Sequence, residues 1–189
     1  MTTHRLSARQ FIARPIDEVF AFFSRPENLA RITPASMGFE FLTDDREMRE
    51  GLEIRYRIRP LLGIPMTWTT RIGAFDPPHR FEDIQLGGPY RRWEHTHTFE
   101  AVPGGTIVSD EITYAVPLGP LGDLANRLVV RGELERIFRH RAETIRTVFA
   151  ASGEPTGRTV AVAGGTGFVG GTIATELHRR GDAVRVLSH

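Results

Sequence analysis

The stretch YRRWEHTHTFEA, Tyr90 to Ala101, alternates two kinds of side chain. Trp93, His95, His97 and Phe99 occupy the odd positions, and Arg92, Glu94, Thr96, Thr98 and Glu100 the even ones. Successive side chains on a β-strand point to opposite faces, so the aromatic set shares one face and the polar set the other. The next stretch, Thr106–Val116, carries Val108, Asp110, Ile112, Tyr114 and Val116 on its even positions. Val102-Pro103-Gly104-Gly105 lies between them with the chemistry of a short hairpin loop. Pairing Ala101 with Thr106 sets Phe99 opposite Val108, His97 opposite Asp110, His95 opposite Ile112 and Trp93 opposite Tyr114. A slip of one residue would turn the apolar set to water, so the pattern itself selects this register. The sequence therefore predicts an antiparallel hairpin whose inner face holds two imidazoles and one carboxylate among aromatic residues.

Outward from that hairpin, strand patterns are expected at Leu6–Ile12, Met37–Leu42, Glu53–Arg59, Met66–Phe75 and Arg80–Leu86, separated by Gly and Pro clusters. Short helices are expected to open at Pro15-Ile16-Asp17-Glu18 and at Pro26-Glu27, each with proline at a first-turn position and acids just behind it. From Leu121 to Phe149 apolar residues recur at helical spacing, through Leu124, Leu128, Leu134, Ile137, Phe138, Ile145 and Val148. Such a helix must lay its apolar stripe on something, and the antiparallel sheet is the available partner. The expected fold is α+β: a helix-grip, in which a curved antiparallel sheet wraps a long C-terminal helix.

Composition narrows the chemistry. All 24 basic residues are arginine, and neither lysine nor cysteine occurs among the 189 residues. This excludes a lysine Schiff base, a thiol nucleophile, a disulfide framework and a Cys-based zinc site. The net charge is +1, with acids and bases interspersed, which argues against a nucleic-acid partner. No apolar run reaches the length of a membrane span, and the N-terminus lacks a signal peptide pattern, so neither membrane insertion nor secretion is expected and the chain is read as cytoplasmic.

Phe11-Ile12-Ala13-Arg14-Pro15-Ile16-Asp17-Glu18-Val19-Phe20 followed by Pro26-Glu27-Asn28-Leu29 resembles the N-terminus of the SRPBCC (START-like) superfamily. Gly88-Pro89-Tyr90-Arg91-Arg92-Trp93-Glu94-His95-Thr96-His97-Thr98-Phe99-Glu100 and Pro117-Leu118-Gly119-Pro120-Leu121-Gly122 are similar to the branch of it fused to short-chain dehydrogenase/reductase (SDR)-like domains. The resemblance covers about residues 5–150 and implies an apolar cavity between sheet and long helix. The superfamily carries lipid binders, hormone receptors, polyketide cyclases and chaperone partners on one scaffold, so the resemblance does not name a ligand.

Residues 151–157, Ala-Ser-Gly-Glu-Pro-Thr-Gly, read as a linker between a ligand-binding domain of residues 1–150 and a segment of residues 158–189. In that segment a strand at Arg158–Ala163 leads into Gly164-Gly165-Thr166-Gly167-Phe168-Val169-Gly170, a helix over Val169–Arg180 and a second strand at Ala183–Leu187. This is the order of a Rossmann dinucleotide-binding unit. Gly164 allows the tight turn, Gly167 the approach of a pyrophosphate to the helix N-terminus with Phe168 and Val169, and Gly170 close helix–strand packing. The G-x-x-G-x-x-G spacing resembles the extended, epimerase-like SDR family. Only the first β-α-β is present, Ser188 and His189 stand where a ribose-reading acid belongs, and the family's Tyr-x-x-x-Lys pair lacks its lysine. The chain is thus expected to be the N-terminal part of a longer SDR-type oxidoreductase or epimerase. It is expected to bind no cofactor itself, while the full-length protein would use NAD or NADP and the C-terminal SDR domain would be its partner.

The expected function is binding of a small apolar or aromatic ligand in the cavity. The candidate lining residues are Tyr56, Trp68, Trp93, His95, His97, Phe99, Asp110, Ile112 and Tyr114, with Ile54, Ile58, Met66 and Ile72 beside the first two. Two alternatives stand beside it: a cyclase or dehydratase using the His97–Asp110 pair, and a non-enzymatic interaction or regulatory module. His95 and His97 could chelate a metal with Asp110 as third ligand, but no further ligand stands out and none is expected.

Overall fold

A computed structural model of the chain describes residues 2–59, 64–150, 158–163, 173, 177 and 180–187. The chain divides into two compact units, residues 1–143 and 144–189. The first is built on a seven-stranded antiparallel sheet in the order β1-β7-β6-β5-β4-β3-β2. The strands are His4–Ile12 (β1), Glu40–Phe41 (β2), Glu53–Ile58 (β3), Met66–Asp76 (β4), Arg80–Gly87 (β5), Arg92–Val102 (β6) and Gly105–Ala115 (β7). Helices α1 (Ile16–Phe23) and α2 (Pro26–Ile32) lie between β1 and β2 in sequence, and both begin at the proline signals.

The β6–β7 register is the one the alternation selects: Ala101 pairs with Thr106, Phe99 with Val108, His97 with Asp110, His95 with Ile112 and Trp93 with Tyr114. The turn needs only Pro103 and Gly104, and Gly104 takes a left-handed φ of 83° that its missing Cβ allows. Gly105 ends the turn where the hairpin passes β1, and a Cβ there would run into the Ile12 carbonyl and the Phe11 ring. β4 and β5 shift register between Thr69 and Thr70 and again between Ile72 and Phe75. Such bulges bend a sheet and increase its twist, which supplies curvature for one face to close on a helix.

Two expectations need correction. Met37–Leu42 is not one strand: Ala35–Met37 forms a 3₁₀ turn, Gly38 reverses the chain at φ 53°, and only Glu40–Phe41 pairs with β3. The helical pattern from Leu121 to Phe149 is also not one continuous stripe. It folds as α3 (Gly119–Ala125), a π-helical turn (Asn126–Val130) and α4 (Arg131–Ala150). The wider π turn rotates the following residues about the axis, so the two halves present different faces. Leu121, Leu124 and Leu128 are consequently 71%, 53% and 73% exposed, whereas Leu134 packs with Ile112 and Tyr114. Tyr114 holds the turn by donating its hydroxyl proton to Asn126 Oδ1 at 2.9 Å.

The larger core cluster gathers Met37, Leu52, Ile54, Tyr56, Ile58, Trp68 and Ile72, with Ile137 of α4 packed against it. In the second unit, β8 (Thr159–Ala163) and β9 (Ala183–Leu187) form a parallel pair, and Arg158 grips the buried Asp182 through Nε and Nη2 at 3.0 and 3.1 Å. The glycine motif at Gly164, Gly167, Phe168, Val169 and Gly170 and the linker 151–157 lie outside the described residues. Among the described residues no helix is long and apolar enough to cross a membrane.

Gly105→Ala is expected to lower stability by about 1–3 kcal/mol, because β1 must give way to the added methyl. Urea denaturation checks this, with Gly104→Ala as a comparison that adds strain in φ but meets no neighbour within 4 Å.

Candidate functional site: an apolar cavity with a buried charge cluster

A cavity of about 170 Å³ lies in the first unit between the concave sheet and α1, α2 and α4. Its wall is mostly apolar: Ile54, Tyr56 and Ile58 from β3, Trp68 and Ile72 from β4, Phe22 and Phe23 from α1, and Ile137 and Phe138 from α4 are among the lining residues. The strict burial alternation of β3 explains the first three, since every second residue points inward.

Of the sequence-derived candidates, Tyr56, Trp68, Trp93, His95 and His97 line the cavity. Phe99, Asp110, Ile112 and Tyr114 share the inner face but do not line it. Phe99 is covered by Phe20 and Phe23 of α1 at ring-centroid distances of 5.2 and 5.4 Å, and Ile112 and Tyr114 are sealed under Leu134. Asp110 lies behind the histidines. Alternation identifies the face of a strand, but not which part of that face a helix covers. Asp83, Thr70, Phe81 and Arg141 also line the cavity and were not anticipated. Asp83 was legible in principle, because β5 pairs it with His95.

The charged and imidazole groups of the wall, Asp83, His95, His97 and Arg141, are joined through Asp110 behind them. Asp110 Oδ1 lies 3.0 Å from His95 Nε2 and 2.6 Å from His97 Nδ1. His97 Nε2 lies 3.1 Å from Asp83 Oδ2. Arg141 Nη2 comes from α4 to 3.5 Å from both Asp110 Oδ1 and His97 Nδ1. Burial works to lower the His97 pKa, but a carboxylate on each ring nitrogen outweighs it and the pKa is raised. The raised pKa favours the imidazolium form of His97, in which Nδ1–H faces Asp110 and Nε2–H faces Asp83. His95 goes the other way: burial, reinforced by the charge on His97, pulls it down to about 4, so it is neutral and donates Nε2–H to Asp110. Burial pushes Asp110 up, but Arg141 and both histidines outweigh this and hold it well below the usual carboxylate range. Arg141 faces Asp110, and the raised pKa of His97 favours a second cation between Asp110 and Asp83.

Asp83, His95 and His97 present ligand-type atoms within 4.8 Å of one another. Donor type alone would allow a metal there. The hydrogen bonds already use both nitrogens of His97, and the Arg141 cation stands alongside, so the group is read as a charge cluster.

The family model for polyketide cyclase/dehydrase and lipid transport matches residues 3–150. The chain belongs to that family. No curated protein matches it. Among solved structures, this polyketide cyclase/dehydrase family member is similar in fold to the Zhui aromatase/cyclase from Streptomyces sp. R1128, with 17% identity, a TM-score of 0.62, and 78% of this chain and 96% of that chain covered. It is also similar to protein Ms6760 from Mycobacterium smegmatis, with 19% identity, a TM-score of 0.60, and 78% and 92% covered. A nucleoside-diphosphate sugar epimerase from Corynebacterium glutamicum matches 96% of this chain at 25% identity and a TM-score of 0.50, and the match spans 38% of that longer chain.

The opposed shifts of the two histidines are expected to give the family member a stability maximum near pH 6.5. A folded-state pKa lowered to about 4 means that the His95 contribution is complete above the unfolded value of 6.5 and is lost as pH falls toward 4. The His97 contribution is complete below 6.5 and is lost as pH rises through its raised pKa. Urea midpoints should correspond to a loss of about 1–2 kcal/mol between pH 6.5 and pH 5, above the carboxylate range, and His95→Gln should flatten that slope. Asp110→Ala, which leaves two buried cations without their shared carboxylate, should cost about 3–5 kcal/mol in the same assay.

Proposed function

We propose that residues 1–150 form a binding domain for a small apolar or aromatic ligand, and that this domain is the N-terminal module of a larger SDR-type oxidoreductase. The observation that carries the reading is the cavity itself, with its aromatic and aliphatic wall and the cluster of Asp83, His95, His97 and Arg141 on one side. Apolar pockets with a few convergent polar groups are where small molecules bind. The parallel pair β8–β9 and the partial match to the longer epimerase support the second half of the proposal. On this reading Gly164, Gly167, Phe168, Val169 and Gly170 begin an NAD(P) site that downstream sequence would complete. The chain of 189 residues alone then binds neither NAD(H) nor NADP(H) measurably, and titration calorimetry giving micromolar affinity would contradict that.

A cyclase or dehydratase reading is favoured by the same cluster and by the family's name. It ranks second because both His97 ring nitrogens are already bonded to carboxylates, so neither is free for substrate. His97→Ala separates the two: turnover collapses if the ring is catalytic, whereas ligand affinity alone falls if it shapes the wall.

Binding is tested with naphthalene, followed by its own fluorescence. Saturable binding is expected, and Ile137→Trp, which fills the cavity from α4, should weaken it by roughly tenfold or more, as expected for losing most of an apolar contact surface. Unchanged affinity would point to the interaction-module alternative. Ile112 would not serve for such a variant, since it is sealed away from the cavity.

A further inference from the structure

The large apolar side chains that the first unit exposes are not spread evenly. Leu118, Leu121, Leu124, Leu128 and Val129 are all exposed within one short segment. Leu121, Leu124 and Leu128 follow one another at spacings of three and four, the spacing of one side of a helix. Apolar side chains exposed singly are ordinary, but a contiguous group marks a surface that meets something.

Leu118 adds a second observation. It is the single residue other than glycine with a positive φ among the described residues, at 73°. A branched side chain is disfavoured in that left-handed region, and glycine is not. Leu118 is 78% exposed, so packing inside the fold does not offset the strain. The turn that holds it is tight: a Cβ on Gly122 of α3 would overlap the Pro117 carbonyl. Strain kept at an exposed apolar residue points to a use outside the fold.

Charge identifies the occupant. Asp123 is the one acid in the segment, and Thr2 Oγ1 at 2.6 Å and His4 Nε2 at 3.3 Å already engage its two oxygens. Arg127, in the π turn, is exposed and has no ion-pair partner among the described residues. The same holds for Arg91, whose backbone N–H donates to the carbonyl of Ala115, just before the Leu118 turn. Leucines beside free arginines complement a surface that is apolar at depth and anionic at its face. A second copy fits less well, because a two-fold axis would set the two arginines against their own equivalents. The segment is too short to span a bilayer, and lying on one needs no span.

We propose that Leu118–Val129 docks the chain on an anionic lipid surface, with the leucines entering the boundary between headgroups and acyl chains and Arg91 and Arg127 pairing with headgroup phosphates. The proposal goes beyond the ligand-binding reading and does not depend on it.

The test is co-sedimentation of the full chain with two kinds of vesicle: phosphatidylcholine alone, and phosphatidylcholine with about one third phosphatidylglycerol, enough anionic lipid to attract arginine. Binding to the anionic vesicles should be about tenfold tighter than to the neutral ones and should weaken as salt is raised. Leu121→Gln with Leu128→Gln, at exposed positions and with a good helix former, should weaken it by about tenfold or more and leave the urea midpoint nearly unchanged. Arg91→Gln with Arg127→Gln should remove most of the preference for anionic vesicles. Leu118→Gly, which relieves the φ strain, should weaken vesicle binding while the fold is retained. All of these variants should bind naphthalene as the unchanged chain does, so this proposal and the ligand-binding reading fail separately. Absence of sedimentation with anionic vesicles, equal binding to both kinds, or undiminished binding in the leucine variants would each overturn the proposal. So would a dimer in sedimentation equilibrium that Leu121→Gln with Leu128→Gln dissociates, since the face would then belong to a second copy.

Discussion

One buried carboxylate organises the first unit. Asp110 sits in the middle of β7, takes hydrogen bonds from two residues of β6, and faces the guanidinium that α4 brings over the sheet. An unpaired carboxylate in that position would be strongly unfavourable, so the strand register, the protonation of His97 and the placement of Arg141 all have to agree. Through His97 the constraint reaches Asp83 on β5. Three adjacent strands and the long helix are thereby held to one arrangement by directional contacts, where apolar packing alone would tolerate sliding.

Around that cluster the walls are permissive. Bulges between β4 and β5 curve the sheet, and Leu134, Ile137, Phe138 and Arg141 are among the helix residues that pack over it. Curvature separates the sheet from the helix near β3 and β4, and large aromatic residues there line the opening instead of filling it. The result is a hydrogen-bonded polar floor next to an apolar space. The two histidines show how far environment outweighs residue type: the rings are 3.9 Å apart, yet the pKa of one is raised and that of the other lowered.

Much of this was legible in the residues themselves. The alternation of Trp93, His95, His97 and Phe99 against Val108, Asp110, Ile112 and Tyr114 determined the hairpin, its register and the meeting of imidazole with carboxylate, because strand geometry has a period of two and one slip would expose every apolar side chain. The proline signals placed α1 and α2, and the glycine-bounded strands placed most of the sheet. Tertiary structure alone decided the rest. A pattern of period 3.6 cannot show a π turn that rotates Leu121, Leu124 and Leu128 away from the core. Nor can it show that Arg141, on a helix rich in arginine, is the one drawn inward to a carboxylate more than thirty positions earlier. Which inward residues line a cavity and which are sealed depends on where helices cross a curved sheet, and that is set by distant parts of the chain packing together, not by the local order of side chains.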